Sequence, residues 1–123
     1  MKSITDPAKK LEIFMSVSFD VVRSTKEYYQ VNMDFWTQIN QKKEVRQVIS
    51  RHYAKFRDTC AAVITEGIDA DVFKKVNAHV YASFVISVID GVSLQWLFDE
   101  NVFEYEEMIK TSKDLILNGL KKA

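Results

Sequence analysis

Turn-forming residues are scarce in this chain, whose 123 residues include only three glycines and one proline. A β-rich fold needs a tight turn after every short strand, and Gly and Pro are the residues that form most such turns. Apolar residues instead recur every three or four positions along most of the chain, which is the period of an α-helix with one buried face. The sequence therefore predicts an all-α fold.

Polar breaks divide the chain into five predicted helices. The first opens at Asp6-Pro7, because Asp accepts hydrogen bonds from free N–H groups and Pro at the first helical position loses none, and it fades near Arg23-Ser24. The second runs from about Thr25 to Ile39. The third runs from about Glu44 to Glu66, and Gly67 is expected to end it in a left-handed conformation.

The fourth and fifth predicted helices complete the chain. The fourth, expected to be the longest, runs from about Ala70 to Phe98 with Asp69 or Asp71 as its N-cap, and the fifth runs from about Glu104 to Lys121. The second half of the fourth is apolar on nearly every side, and such a helix must be covered all round. One domain of this size covers one side, so the other favours a partner chain or a cavity.

Charge and apolar patterning argue against nucleic acid or membrane as partners of this chain alone. Seventeen basic residues balance seventeen acidic ones and no long basic run exists, whereas nucleic-acid binding draws on Lys and Arg to neutralise phosphates. No uninterrupted apolar stretch approaches the roughly 18 residues of a membrane span. The single cysteine, Cys60, fits a reducing cytoplasm, which is the expected location.

The sequence lacks the motifs of an enzyme or a metal site. Its two histidines, His52 and His79, lie on different predicted helices without metal-ligand spacing, and a lone His on an apolar face is more often a hydrogen-bonded core residue than a pocket group. Cys60 lies in a helical apolar stripe, which predicts a buried, inert thiol. We therefore expect no catalysis, no metal and no cofactor.

Aromatic side chains are abundant, at 12% of the chain, and spread over the first four predicted helices. Such residues mostly fill cores, but as a group they also suit a mainly apolar cavity with a few polar groups. Few charges accompany them, so the expected ligand is a small lipophilic molecule. The candidate binding residues are Phe14, Trp36, Tyr53, Phe56, His79, Ser83 and Phe84.

The last two predicted helices carry a pattern that resembles a known family. Residues 88–100 read VIDGVSLQWLFDE, residues 103–107 read FEYEE, and the final helix ends LILNGL at 115–120. With the Glu66-Gly67-Ile68-Asp69 break before them, these segments resemble the C-terminal domain of the TetR (tetracycline-repressor-like) family of bacterial transcription regulators. The order and lengths of all five segments agree, so the resemblance covers nearly the whole chain as one domain, 1–123.

The resemblance implies an architecture and a function. It implies a five-helix TetR-type C-terminal domain whose last two helices form a four-helix bundle with those of a second subunit, giving a homodimer. The earlier helices would enclose an effector pocket, and effector binding would release the protein, a repressor, from its operator. No helix-turn-helix precedes Asp6, so we expect a truncated regulator or a stand-alone sensor that meets operator DNA only through the missing head.

Gly91 is the residue that points most directly to a subunit contact. A glycine inside a helix costs about 1 kcal/mol relative to alanine, and a close helix crossing would offset that cost; a packing contact within the subunit is the alternative. The predicted dimer interface comprises Gly91, Leu94, Gln95, Phe98, Met108, Ser112, Leu115 and Gly119. The competing functional hypothesis is a helical protein–protein interaction module with a filled core and no effector.

Overall fold

The computed structural model describes residues 5–26 and 42–122. These residues form four helices: α1 (Pro7–Ser24), α2 (Lys43–Asp69), α3 (Ala78–Phe98) and α4 (Tyr105–Leu120). The described chain contains no strand beyond one isolated antiparallel bridge, Phe73 to Lys121, so the all-α prediction is confirmed. The predicted second helix, except its first two residues, lies outside the described residues.

Helix α1 begins and ends where the sequence predicts. The Asp6 carboxylate accepts a hydrogen bond from the Ala8 amide at 3.1 Å, and Pro7 occupies the first helical position. Leu11, Met15 and Phe19 recur at four-residue spacing and are all completely buried. This apolar face holds α1 at the centre of the domain, where it packs against α2, α3 and α4.

The sequence predicts that the helix corresponding to α2 ends at Gly67, and this prediction is wrong. Helix α2 continues to Asp69, no described glycine has a positive φ, and the left-handed residue is Asp71, at φ 63°. Gly67 is instead required by a close approach: a Cβ there would lie 2.1 Å from Cδ2 of the Phe73 ring. The glycine makes room for a buried aromatic ring rather than for a turn.

Helix α3 begins at Ala78, eight residues later than predicted, and its N-cap is Asn77 rather than Asp69 or Asp71. The Asn77 side chain accepts a hydrogen bond from the Val80 amide at 3.2 Å. At 21 residues α3 is shorter than α2, which has 27, so the predicted order of lengths is also wrong.

The segment between α2 and α3 does not form a helix, because its residues 72–74 pair with the end of α4. The Lys74 amide donates to the Leu120 carbonyl at 2.8 Å, and the Lys122 amide donates to the Val72 carbonyl at 3.2 Å. These long-range bonds satisfy backbone groups that a helix would otherwise satisfy locally. Phe73, only 1% exposed, fills the space beneath them.

Helix α4 matches its predicted bounds to within one residue at each end. The Glu104 carboxylate caps it by accepting from the Glu107 amide at 2.7 Å. Its buried face meets α1 and α3, and the resulting core runs between all four helices. The largest fully buried side chains are Phe19, Phe73, Leu11, Met15, Ile64, Leu120, Val85 and Cys60.

Candidate functional site

Helix α3 leaves a long apolar face uncovered, which we call the α3 stripe: Val80, Phe84, Gly91, Leu94 and Phe98. Its four large side chains are exposed by 62%, 53%, 46% and 75% in chain order. They share one side of the helix because successive residues are offset by about 100°. A Cβ on Gly91 would meet nothing within 4 Å, so no packing contact within the described chain requires a glycine at this position.

The predicted interface residues on α4 share one side of that helix by spacing but differ in burial. Leu115 is 69% exposed and Gly119 is also exposed. Met108 is half-buried, and Ser112, at 6% exposure, donates a hydrogen bond to the Met108 carbonyl at 2.8 Å. Ser112 thus lies within the subunit core, whereas Leu115 is available to a partner, as is Gln95 on α3.

Three of the predicted ligand-binding residues lie in one region between α1, α2 and α3. The rings of Phe14 and Phe56 contact each other, with centroids 4.8 Å apart. Three residues before Phe56, the Tyr53 hydroxyl donates a hydrogen bond to the Asp90 carboxylate at 2.9 Å. All three aromatic residues are half-buried, so this cluster joins an aromatic wall to a carboxylate.

Asp90 is the charged member of this cluster. Its residue surface is largely exposed, yet desolvation of the carboxyl group raises its pKa, and the hydrogen bond from Tyr53 opposes that shift. The ionised carboxylate is therefore less well solvated than an ordinary surface aspartate and gains more from a nearby cation. Asp90 directly precedes Gly91 of the α3 stripe, so adjacent residues belong to the cluster and to the stripe.

The remaining predicted ligand-binding residues lie elsewhere. Phe84 belongs to the α3 stripe, with its ring 6.1 Å from that of Tyr81. Ser83 and His79 are exposed, and His79 Nε2 lies 3.5 Å from Asp58 Oδ1. Trp36 lies outside the described residues. The expectation of core histidines is wrong, since His52 is exposed as well.

An open cleft of about 450 Å³ runs along the second half of α2 beside His79. Small residues and carboxylates line it: Asp58, Ala61, Ala62, Thr65, Glu66 and Asp69. Phe14, Tyr53 and Phe56 do not contribute to this cleft. Its aliphatic floor and acidic rim differ from the aromatic lining that the sequence predicts for the ligand site.

The described residues show no catalytic or metal constellation. Cys60 is completely buried, and burial raises the pKa of its thiol to about 12, so it carries almost no thiolate at neutral pH. In residues 5–26 and 42–122, no three His, Cys, Asp or Glu side chains converge as metal ligands.

Sequence reasoning missed Asp90 as a site residue. The Asp90-Gly91 dipeptide is part of the family-like pattern, but the pattern by itself does not indicate that the carboxylate could pair with a ligand. The signal was the charge itself, since Asp90 is the only ionised residue between Lys75 and Asp99 apart from the titratable His79. An isolated charge on such a helix needs a partner or solvent.

The fold is similar to part of two solved transcription regulators. One solved structure, of a protein described as a transcriptional regulator from Saccharomonospora viridis in complex with choline, superposes with a TM-score of 0.85 and 20% identity. A TetR transcription regulator from Haloarcula marismortui gives 0.84, also at 20% identity. Both comparisons cover 98% of this chain, which spans 63% and 67% of the respective chains.

A match to a protein-family model identifies the family of this chain. The model of the BetI-type transcriptional repressor C-terminal domain, a TetR-family model, matches residues 7–121. The chain therefore belongs to that family, which confirms the resemblance recognised in the sequence. No curated protein matches this chain.

Regulators of this family act as dimers that bind small-molecule effectors, and they are generally soluble, cytoplasmic and not enzymes. Among the described helices, α3 is long and apolar enough to cross a membrane by length and composition. Core helices of soluble proteins share these properties, so α3 is not a clear membrane span.

Proposed function

We propose that this chain is the effector-sensing and dimerisation domain of a TetR-family repressor. The observation that most strongly supports this proposal is the arrangement of side chains around Asp90-Gly91. There an aromatic cluster with a partly desolvated carboxylate adjoins an uncovered apolar stripe on one helix. The first feature suits a small-molecule site and the second a subunit interface. Effector occupancy would control DNA binding by a head domain that precedes this domain in the full regulator.

The dimer proposal rests on the area and chemistry of the α3 stripe. Three exposed side chains as large as Phe84, Leu94 and Phe98 on one helix face form an apolar patch that a monomer rarely exposes. Gly91 lies between them and lets a second helix approach closely. Burial of this stripe against the same stripe of a second copy, with Leu115 of α4 beside it, would give an isologous four-helix bundle.

The effector proposal rests on the aromatic cluster with Asp90. The lipophilic ligand expected from the sequence fits Phe14 and Phe56, and the carboxylate adds a preference for positive charge. Aromatic faces attract cations, quaternary ammonium groups in particular. We therefore propose a small organic cation with apolar groups around its charge as effector, such as a quaternary ammonium compound; the Saccharomonospora viridis structure contains one such cation, choline.

Two measurements test the two halves of this proposal. Sedimentation equilibrium of the purified chain should give a two-chain mass at micromolar concentration, and a single-chain mass throughout would contradict the dimer. Calorimetric titration should show choline binding more tightly than its neutral isostere 3,3-dimethylbutanol. The Asp90→Asn variant should remove that preference, because it removes the charge and keeps the shape.

The control variant for the titration is Asp58→Asn, which removes a carboxylate from the open cleft instead. If Asp58→Asn abolishes choline binding and Asp90→Asn does not, the effector site lies in the cleft. If neither ligand binds and native mass spectrometry finds no retained small molecule, the interaction-module hypothesis is favoured. The aromatic wall is tested in the same assay with Phe56→Leu, which should weaken binding because it removes the aromatic face while keeping an apolar side chain.

A further inference from the structure

The last turn of α1 places one cation against the ring that opens α4. The guanidinium carbon of Arg23 lies 5.1 Å from the centroid of the Tyr105 ring. Its nitrogens pair with Glu106 on α4 and with Asp20, three residues back on α1. Tyr105 is 8% exposed, and its hydroxyl donates to the Phe19 carbonyl at 3.0 Å. Ring, cation and carboxylates thus bind α1 to the start of α4.

A second cation repeats this arrangement at the end of α3. Lys26 Nζ lies 5.1 Å from the centroid of the Trp96 ring and pairs with Glu100 in the α3–α4 loop. The Trp96 and Tyr105 rings are themselves in contact, with centroids 4.8 Å apart. Arg23, Tyr105, Trp96 and Lys26 therefore form one continuous cluster, which we call the corner clasp.

The corner clasp lies directly behind the end of the α3 stripe. Trp96 and Phe98 are two positions apart on the last turn of α3, so their side chains are offset by about 200° and project to opposite sides. Trp96 is half-buried in the clasp, whereas Phe98 is 75% exposed. A helical turn moves as a unit, so a shift of Trp96 displaces Phe98 by a comparable amount.

We propose that the corner clasp is the joint through which α1 acts on the dimer surface. It holds the last turn of α3 so that Phe98 and Leu94 present one continuous face. This inference rests on the proposed dimer and adds the residues that position its surface.

The test compares dimer dissociation constants, measured by sedimentation of the whole chain. The double variant Arg23→Met, Lys26→Met keeps the length of each side chain but removes both charges. We expect it to dimerise about tenfold more weakly than wild type. The control, Lys43→Met with Arg51→Met, removes two exposed charges from α2 and should stay within twofold. Far-ultraviolet circular dichroism verifies that each variant remains helical.

A double-mutant cycle separates this role from a general structural one. If the clasp acts through Phe98, its loss should have little further effect on a chain that already carries Phe98→Ala. An equal tenfold loss in both backgrounds would overturn the proposed route. Should the double variant unfold, Lys26→Met alone replaces it in the cycle, because Lys26 follows the end of α1 and does not belong to the buried core.

The outcomes distinguish this inference from the dimer proposal on which it rests. A wild-type chain that dimerises while the folded clasp variant dimerises equally well overturns the clasp and leaves the dimer standing. A wild-type chain that is monomeric at every concentration overturns both the dimer proposal and the clasp proposal, and this outcome is seen from the wild-type measurement alone. The inference is supported if the clasp variant dimerises more weakly than wild type and the control variant does not. The same clasp substitutions must also have no further effect on a chain that carries Phe98→Ala.

Discussion

The ring of Phe73 lies where a side chain on Gly67 would be. With a Cβ on Gly67, the nearest ring atoms would be at 2.1, 2.4 and 2.8 Å, and Phe73 is almost completely buried. The ring comes from the segment that pairs with the end of α4. One glycine therefore permits the contact that joins the end of α2, the α2–α3 segment and the C-terminal end of α4.

Replacing Gly67 by alanine should destabilise the domain. The added methyl group must displace a buried ring, and overpacking of this kind costs about 1–3 kcal/mol, partly offset by the higher helix propensity of alanine. Urea denaturation checks this. Gly91→Ala is the matched control, since its Cβ enters open space and should stabilise the monomer by roughly 0.5–1 kcal/mol. Equal effects at both positions would contradict the packing argument.

Placing a charge on the α3 stripe should separate the subunits without unfolding them. Phe98 is largely solvent-exposed in the subunit, so Phe98→Asp leaves the core intact. In a dimer it buries an unpaired carboxylate, at a cost of about 3 kcal/mol or more, which is roughly a hundredfold in dissociation constant. Val48→Asp on α2, also exposed, is the control. Light scattering should show single-chain mass for the first variant only.

Stability should depend on pH through Asp90 in a defined direction. Burial raises the pKa of Asp90 in the folded chain, so the folded state binds this proton more tightly than the unfolded state. The contribution of Asp90 to the free energy of unfolding therefore falls as pH rises from about 4 through the raised pKa. Asp90→Asn should abolish this component. Thermal melts between pH 3.5 and 7.5 check it, and identical profiles for both proteins would contradict it.

Cys60 should resist alkylation in the folded protein. Its thiol is completely buried with a pKa of about 12, so its thiolate fraction at pH 8 is on the order of one in ten thousand. Iodoacetamide should therefore label Cys60 only through unfolding, and the labelling rate should rise steeply with urea. Rapid labelling of the native chain, measured by mass spectrometry, would show that the α1–α2 packing opens locally.

The local signals in the sequence account for the elements whose ends are satisfied by neighbouring residues. Asp6 opens α1 by accepting from the Ala8 amide two residues away, and Glu104 opens α4 by accepting from the Glu107 amide three residues away. The apolar period of α1 likewise predicts its buried face. Such features depend on short-range hydrogen bonding and on a repeat, both of which are visible in a single chain.

The sequence could not locate the start of α3, because that start depends on contacts distant in the chain. Residues 70–77 contain no strong helix breaker, yet Val72 and Lys74 pair through their backbones with residues 120–122, and the segment does not form a helix. Gly67 was misread for a related reason: its partner, Phe73, is six residues away and approaches it only after the chain reverses. Local propensity is weak next to tertiary pairing.

The features of the candidate site also separate into those that follow from the sequence and those that depend on tertiary contacts. The sequence by itself determined the all-helical class, the family and the uncovered side of α3, because these follow from periodicity and from a contiguous motif. Only the tertiary structure decided that Phe14 contacts Phe56 and that Tyr53 bonds to Asp90, while Phe84 faces outward on the α3 stripe. A helix repeat shows which residues share a face, but crossing angles between helices decide which faces meet.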